Sequence, residues 1–258
     1  MKRRQLILTS AATLALPLGV RAAKPCPPPQ IALSGGGSAS TSCGATQSAR
    51  TYSTTFSTTE NPVSESGAWV RRTTSYFHNA RTTGGNLVGA SNASSESAGL
   101  YDDCYSHLSD TWPADQEVVV TVYKGAATGG EIEIHLRATD SANSMSVYEC
   151  LFNIGGGVAI VRWNGPPGDI TYLALGGSSG LTDPSGFNDG DKARARIVGQ
   201  TISFWYARAA SPTSWVSIGS VTDNSSGKLT SGSPGVGFFS RSPSSLDYGI
   251  KDFSATAL

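Results

Sequence analysis

Short runs of alternating apolar and polar residues recur from about residue 51 to the end of the chain. Residues 192–198 (KARARIV) and 201–206 (TISFWY) both alternate at period two, and the two-residue turn Gly199-Gln200 joins them. This pattern is typical of a β-hairpin that buries one face. Further runs, each bounded by Gly, Pro, Asn or Asp, predict strands at 52–57, 67–77, 86–91, 99–106, 116–123, 131–138, 147–154, 158–164, 170–175, 215–221, 234–239 and 248–253.

The number of predicted strands indicates an all-β fold. More than ten short strands, short turns and no long apolar stripe of period 3.6 favour a two-sheet antiparallel sandwich with jelly-roll or similar topology. The composition agrees with this, because charged residues make up 15% of the chain and glycines number 30. We therefore predict a single β-sandwich domain over residues 51–258.

The first 22 residues predict a signal peptide. The basic run Lys2-Arg3-Arg4 precedes an apolar stretch, 6–20, and Val20-Arg21-Ala22 has small residues at the usual cleavage positions. The stretch is too short and too rich in Ala and Thr for a membrane span. We expect a secreted or periplasmic protein of bacterial type. Because Arg3-Arg4 also fits a twin-arginine leader, the general secretory route and the twin-arginine route both stay open.

Residues 23–50 are rich in Pro, Gly and Ser and predict a linker. Without the leader, 15 basic and 19 acidic residues remain, and no basic stripe stands out. We expect no nucleic-acid partner.

The four cysteines predict disulfides, because an exported chain passes into an oxidising compartment. Pairing neighbours along the chain joins Cys26 to Cys43 and Cys104 to Cys150, which is one of three connectivities. The spacing contains no Cys-x-x-Cys pair of the kind that binds zinc.

Polar side chains alternate along the predicted strand 131–138. Glu131, Glu133, His135 and Arg137 share one face of this strand, and the intervening Ile132, Ile134 and Leu136 face a core. An ordinary solvent-facing strand would have the same pattern, so chemistry and simple exposure are both open here.

Two further groups of residues could bind a ligand or an ion. Aromatic and cationic side chains that could contact a ligand are Tyr148, Trp163, Arg194, Arg196 and Trp205, although buried Trp residues also serve as core packing. Loop carboxylates that could bind calcium are Asp102, Asp103, Asp189 and Asp191, although Asp is also a common turn former. We expect no other cofactor.

The order of these features resembles a known superfamily. A strand with Arg137 is followed by a polar turn and a strand with Tyr148, then by 158–165, Gly190-Asp191, Gly235-Val236-Gly237 and Asp252-Phe253. Together they resemble the concanavalin A-like lectin/glucanase superfamily in its laminin-G-like branch, over roughly residues 51–258. The resemblance implies a concanavalin A-like jelly roll and leaves open a lectin, an adhesion module, a glycoside hydrolase or a polysaccharide lyase.

Within that superfamily, the strand 131–138 is similar to the carboxylate strand of laminarinase-type hydrolases. Those enzymes have a third acid, and here His135 or Leu136 stands in its place, so the general acid/base is missing. The resemblance therefore implies a non-catalytic, lectin-like glycan-binding domain. The alternatives are a hydrolase that uses Glu131, Glu133, His135 and Arg137, a lyase with His135 or Tyr148 as base, and an adhesion domain that binds protein.

Overall fold

Strands dominate the computed structural model, which describes residues 50–71, 77–89, 103–178, 180–239 and 245–258. Within these ranges one 3₁₀ turn, Ser245–Asp247, accompanies fifteen strands. The strands are β1 (Thr51–Thr54), β2 (Trp69–Val70), β3 (His78–Thr82), β4 (Leu87–Gly89), β5 (Asp103–Leu108), β6 (Gln116–Lys124), β7 (Glu131–Ser141), β8 (Ser144–Asn153), β9 (Val158–Gly165), β10 (Ile170–Leu175), β11 (Lys192–Val198), β12 (Thr201–Ala207), β13 (Val216–Thr222), β14 (Ser233–Phe239) and β15 (Tyr248–Ala257).

The strands form two antiparallel layers. The first sheet has the order β10-β9-β8-β7-β14-β5, with β2 paired to β5. The second sheet has the order β13-β12-β11-β6-β15, with β1 and β4 both paired to β15. Strand β3 connects the layers, since it pairs with β5 in parallel and with β4 in antiparallel orientation. The all-β, antiparallel jelly-roll prediction is confirmed.

The main core lies between the two sheets. Ile132, Ile134 and Leu136 of β7 are buried there with Val118 and Val120 of β6, as the period-two alternation predicts. At the typical 25 cal/mol per Å², each fully buried aliphatic side chain stabilises the fold by about 1.5–3 kcal/mol.

The first sheet is buried on its other face as well. A second, smaller cluster of buried hydrophobic side chains lies on that face, and we call it the outer cluster: Phe77, Tyr105, Ala138, Met145, Val147, Leu151, Ala159, Val161 and Trp163. Strands of this sheet are therefore enclosed on both sides, and polar groups among the outer cluster must find partners within the protein.

Most predicted strands are present within one to four residues of their predicted ends. There are two exceptions. Of the strand predicted at 67–77, the described residues form a strand only at Trp69–Val70, because 67–68 belong to a turn and Arg71 and Phe77 are not in a strand. The other exception is β3, His78–Thr82, whose sequence HNART has no apolar alternation. Its pairing with β4 and β5 makes it a strand, and that pairing is not visible in local sequence.

The predicted leader, 1–22, and the linker, 23–50, lie outside the described residues apart from Arg50, and both stay predictions. Among the residues that the structure describes, no helix is long and apolar enough to cross a membrane.

Candidate functional site

Two histidines meet above a strand that has no side chains at the point of contact. On β14, Gly235 lies opposite both His107 of β5 and His135 of β7. A Cβ on Gly235 would clash with the imidazole of His107. Because glycine leaves this space open, the two imidazoles approach across β14, with His107 Nε2 2.9 Å from His135 Nδ1.

The histidine pair continues into two carboxyl groups. His135 Nε2 lies 3.2 Å from Glu133 Oε2, and Glu149 of β8 is the direct cross-strand partner of His135. One ligand atom from each of Glu133, His135 and Glu149 lies within 4.8 Å of the others. We call His107, Glu133, His135 and Glu149 the polar cluster.

Neighbouring side chains hold the polar cluster in position. The indole Nε1 of Trp163 donates a hydrogen bond of 2.5 Å to Glu149 Oε2. Tyr105, whose ring lies 4.6 Å from that of His107, donates from its hydroxyl to Asp140 Oδ2 at 2.8 Å. Gly237 leaves room for the cluster, because a Cβ there would lie 2.8 Å from His135 Nε2.

Burial sets the charge of His135. Loss of solvent and the neighbouring imidazole of His107 together hold the pKa of His135 well below its ordinary value, despite the opposing influence of Asp140. His135 is therefore a neutral imidazole at pH 7, with one nitrogen facing His107 and the other facing Glu133.

The structure agrees with part of the prediction for the strand 131–138 and contradicts another part. Glu131, Glu133 and His135 share a face as predicted, but Glu131 is half-buried and Glu133 and His135 are only 1% and 0% exposed. The alternative of a solvent-facing strand does not hold for Glu133 and His135, because both are buried on the face of the first sheet that carries the outer cluster.

Arg137 does not join the polar cluster. It adopts φ +51° beside a bulge in the β7–β8 pairing, which breaks the alternation of faces. Its buried guanidinium donates to the carbonyl oxygens of Ala114, Leu229 and Gly199 at 2.6–2.8 Å and pairs with Asp115. Arg137 thus joins three loops by hydrogen bonds, those that contain Ala114, Gly199 and Leu229, and we call this arrangement the Arg137 clamp.

Tyr148 and Trp163 are buried, which corrects their prediction as ligand-contacting rings. Tyr148 points between the sheets, where its hydroxyl donates to Asp223 Oδ2 at 2.8 Å and accepts from the backbone N–H of Leu229. Burial first, and the hydrogen bond to Asp223 with it, raise the pKa of Tyr148 to about 12. Trp163 lies on the opposite face of the first sheet and is 0% exposed.

The other three predicted ligand-binding residues lie together on the outer face of the second sheet. The guanidinium carbon of Arg194 lies 4.4 Å from the ring centroids of both Trp205 and Trp215. Arg196 lies 5.9 Å from the Trp205 ring and pairs with Glu117 at 2.5 Å. We call Arg194, Arg196, Trp205 and Trp215 the Trp–Arg face, and all four are partly exposed.

The candidate calcium ligands have protein partners where the structure describes them. Asp189 pairs with Lys251 at 2.6 Å, and Asp191 pairs with Arg208 at 2.7 Å. Asp103 is buried at the start of β5, and Asp102 lies outside the described residues. Asp189 and Asp191 serve to fix the loop before β11.

The predicted Cys104–Cys150 disulfide is not formed. Cys104 lies on β5 and Cys150 on β8, and strands β14 and β7 separate them. Three strand spacings amount to about 14 Å, whereas the Cα atoms of a disulfide lie about 4.4–6.8 Å apart. Cys26 and Cys43 lie outside the described residues.

Sequence patterns missed two residues that the structure places in the polar cluster, His107 and Glu149. Trp215, which the sequence offers as a sugar-stacking ring along with Trp112, Trp163 and Trp205, completes the Trp–Arg face. The signal for the first two was Gly235-Val236-Gly237, since two glycines on one face of a strand mark a close approach of neighbouring groups.

Comparison with known proteins gives matches in structure alone. No family model matches this chain, and no curated protein matches it. Beta-agarase A in complex with oligoagarose superposes with a TM-score of 0.50 at 9% identity, over 81% of this chain and 92% of that one. The VIP36 exoplasmic/lumenal domain in its Ca²⁺/Man2-bound form has a TM-score of 0.47 at 11% identity, over 77% and 86%.

A third solved structure is the carbohydrate-binding module CBM66 from Bacillus subtilis, with a TM-score of 0.46 at 12% identity, over 76% of this chain and 95% of that one. At 9% identity the comparison with beta-agarase A concerns the fold alone, and it agrees with a jelly-roll sandwich.

Proposed function

We propose that this chain is an exported, non-catalytic glycan-binding protein that contacts its ligand with the Trp–Arg face. The observation that carries the proposal is the placement of the Arg194 guanidinium between the indole rings of Trp205 and Trp215 on a partly exposed sheet face. The shared fold with an agarase solved with oligoagarose is consistent with this ligand class.

The chemistry of this face suits a sugar. An indole ring offers a flat apolar surface for the C–H face of a pyranose, and arginine N–H groups donate to hydroxyl or acidic oxygens. Ser203 of β12 is the cross-strand partner of Arg196, and Ser217 of β13 is that of Trp205, so both add hydroxyls beside this face. Stacking on Arg194 fixes the orientation of both rings, so little side-chain entropy is lost on binding.

Burial of the polar cluster supports the non-catalytic assignment. A glycan-cleaving enzyme needs its acid and base to line an open cleft that admits a polymer. Glu133 and His135 are enclosed by the protein, and Arg137 is committed to three backbone carbonyl oxygens.

One pair of assays tests the proposal. A glycan array should give binding, and a reducing-end assay on bacterial and algal polysaccharides should give no new ends. Trp205→Ala should abolish the array signal, whereas Tyr172→Ala, which removes a 40% exposed ring from β10 of the first sheet, should keep it. Binding that survives Trp205→Ala would refute the assignment to this face. If the array shows no binding and the reducing-end assay shows no new ends, an adhesion domain that binds protein is favoured.

Glycan cleavage is the second candidate: the spacing of the Glu133 and Glu149 carboxylates speaks for it, and the burial of both side chains speaks against it. Their closest carboxylate oxygens lie within 4.8 Å of one another, near the separation of about 5–5.5 Å that retaining hydrolysis uses. His135 in the same cluster could serve as the base of a lyase. Turnover that disappears in Glu133→Gln would establish this function in place of the binding module.

Export is tested at the N-terminus. The leader pattern places the first residue of the exported protein at or near Ala23, and N-terminal sequencing of the exported form checks it. An exported protein that retained Met1 would contradict this part of the proposal.

A further inference from the structure

The positive charge of Arg194 has no carboxylate partner among the described residues. Its guanidinium carbon lies 4.4 Å from the ring centroids of both Trp205 and Trp215, but its side chain makes no hydrogen bond or ion pair with a described residue, and its Nε is buried. Other arginines of the fold do have such partners, since Arg162 and Arg208 each pair with an aspartate, at 2.5 and 2.7 Å. Arg194 is therefore a cation that the protein leaves available to a ligand.

Arg194 is the middle cation of a row along β11. Lys192, Arg194 and Arg196 alternate with buried residues, so all three share the outer face of the second sheet. Successive residues on one face of a strand lie about 7 Å apart. Arg196 pairs with Glu117, whereas Lys192 makes no ion pair with a described residue. Strands β12 and β13, which continue this face, contain no charged residue, so two positive charges of the row have no direct counter-charge.

The solvation of Arg194 favours an anionic ligand over a neutral one. Partial burial lowers the pKa of Arg194, and the positive charge of Arg196 adds to this effect against the opposing influence of Glu117. A neutral glycan over the face would displace more of the water that solvates this cation and would leave its charge uncompensated. An acidic group would instead replace that water with a charge-assisted hydrogen bond. The Trp–Arg face therefore suits a glycan with acidic groups.

We propose that the ligand of the Trp–Arg face is an acidic polysaccharide and that Arg194 is the residue that selects it. This inference rests on the glycan-binding function proposed above and names the class of glycan. The two terminal nitrogens of Arg194 donate to two oxygens of one carboxylate or sulfate group. Lys192, one step of about 7 Å along β11, contacts a second acidic group. Acidic groups that repeat along a polymer therefore fit the row better than a single one.

Two pairs of polymers test the charge of the ligand, and each pair shares one backbone. The first pair is polygalacturonate and its fully methyl-esterified form, and the second is a sulfated galactan and its desulfated form. We expect the full chain to bind the acidic member of at least one pair about 10–100-fold more tightly than the neutral member. The difference should shrink as salt is added. A preference in the first pair alone identifies carboxylate as the group bound, and one in the second alone identifies sulfate.

Three variants test the role of Arg194, and the readout is the ratio of the affinities for the acidic and the neutral member. Arg194→Gln removes the charge, so the ratio should fall to about twofold or less. Arg194→Lys keeps the charge and should keep most of the ratio, even though both affinities fall as the stacking is lost. Arg50→Gln makes the same change at the Arg50–Trp112 pair and should leave the ratio unchanged. Because the ratio compares two ligands of one variant, partial loss of folded protein does not alter it.

The outcomes separate this inference from the glycan-binding function itself. Binding that needs Trp205 but is equally tight for acidic and neutral members would leave the glycan-binding function intact and overturn the acid selectivity. A preference for the acidic member that survives Arg194→Gln would overturn the role of Arg194, and no binding to any of the four polymers would overturn the inference as a whole. A single-stranded oligonucleotide that competes as well as the acidic polymer would overturn the assignment to a polysaccharide.

Discussion

The guanidinium carbon of Arg194 lies 4.4 Å from the centroid of the Trp205 ring, and the two residues are direct cross-strand partners. Cross-strand pairs on one face of an antiparallel hairpin lie close enough for such a cation–π contact. The contact therefore follows from the register of the β11–β12 hairpin, and it orients the ring.

We predict that Arg194→Lys weakens glycan binding without destabilising the fold. An ammonium stacks poorly between two indole rings, so the rings lose their fixed orientation. Affinity should fall by about threefold to tenfold, while the free energy of unfolding changes by about 1 kcal/mol or less. Isothermal titration and urea unfolding give the two numbers.

A second Arg–Trp pair provides the matched control. The Arg50 guanidinium lies 4.6 Å from the Trp112 ring, away from the Trp–Arg face. Arg50→Lys should leave glycan affinity unchanged. Equal losses in Arg50→Lys and Arg194→Lys would count against the assigned face.

Asp223 should make the fold sensitive to acid. Burial alone would raise the pKa of Asp223, but hydrogen bonds from Ser225, Tyr148 and Arg162 outweigh it and lower the pKa to about 2. Because the folded pKa lies below the unfolded value, Asp223 stabilises the fold above about pH 4, and this contribution is lost between about pH 4 and pH 2. We expect it to amount to about 1–2 kcal/mol.

The variant Asp223→Asn tests this sign. Near pH 6 it should be less stable than wild type by about 3 kcal/mol, because it leaves the buried Arg162 guanidinium without its carboxylate partner. The difference should shrink as the pH falls toward 2.5. Urea unfolding at both pH values measures it, and a difference independent of pH would contradict the prediction.

Arg137→Lys should destabilise the protein by about 2–3 kcal/mol. Lysine cannot reproduce the fork that reaches the carbonyl oxygens of Ala114, Leu229 and Gly199, so at least one buried acceptor loses its donor. Arg196→Lys, at a more exposed ion pair, should change stability by less than about 1 kcal/mol. Chemical denaturation gives the change in the free energy of unfolding for both variants. Equally small changes would show that the hydrogen bonds of Arg137 do not stabilise the fold.

Cys150 should resist alkylation until the protein unfolds. It is fully buried on β8, and burial raises the pKa of its thiol, with Glu149 adding to the effect. Peptide mass spectrometry after iodoacetamide treatment should find Cys150 unmodified in native protein and modified in denaturant. The exposed position Ser57, as Ser57→Cys, should react under native conditions. Comparable native labelling at Cys150 would contradict its place in the core.

Local alternation was enough to predict most of the strands. In residues 192–198 and 201–206 the side chains alternate every second residue, and that period belongs to the strand itself. Cross-strand pairing from Lys192–Ala207 to Val198–Thr201 reproduces the predicted hairpin and its turn. The Trp–Arg face could be predicted in part for the same reason, since Arg194, Arg196 and Trp205 belong to adjacent strands of one hairpin.

The polar cluster depended on the tertiary structure. His107 and His135 are 28 residues apart and lie on strands that are not neighbours, and they meet because Gly235 of β14 lies between them without a side chain. Alternation correctly placed Glu133 and His135 on one face of β7. It could not determine whether that face is exposed to water or buried, because burial depends on contacts between distant segments, whereas alternation depends only on the strand.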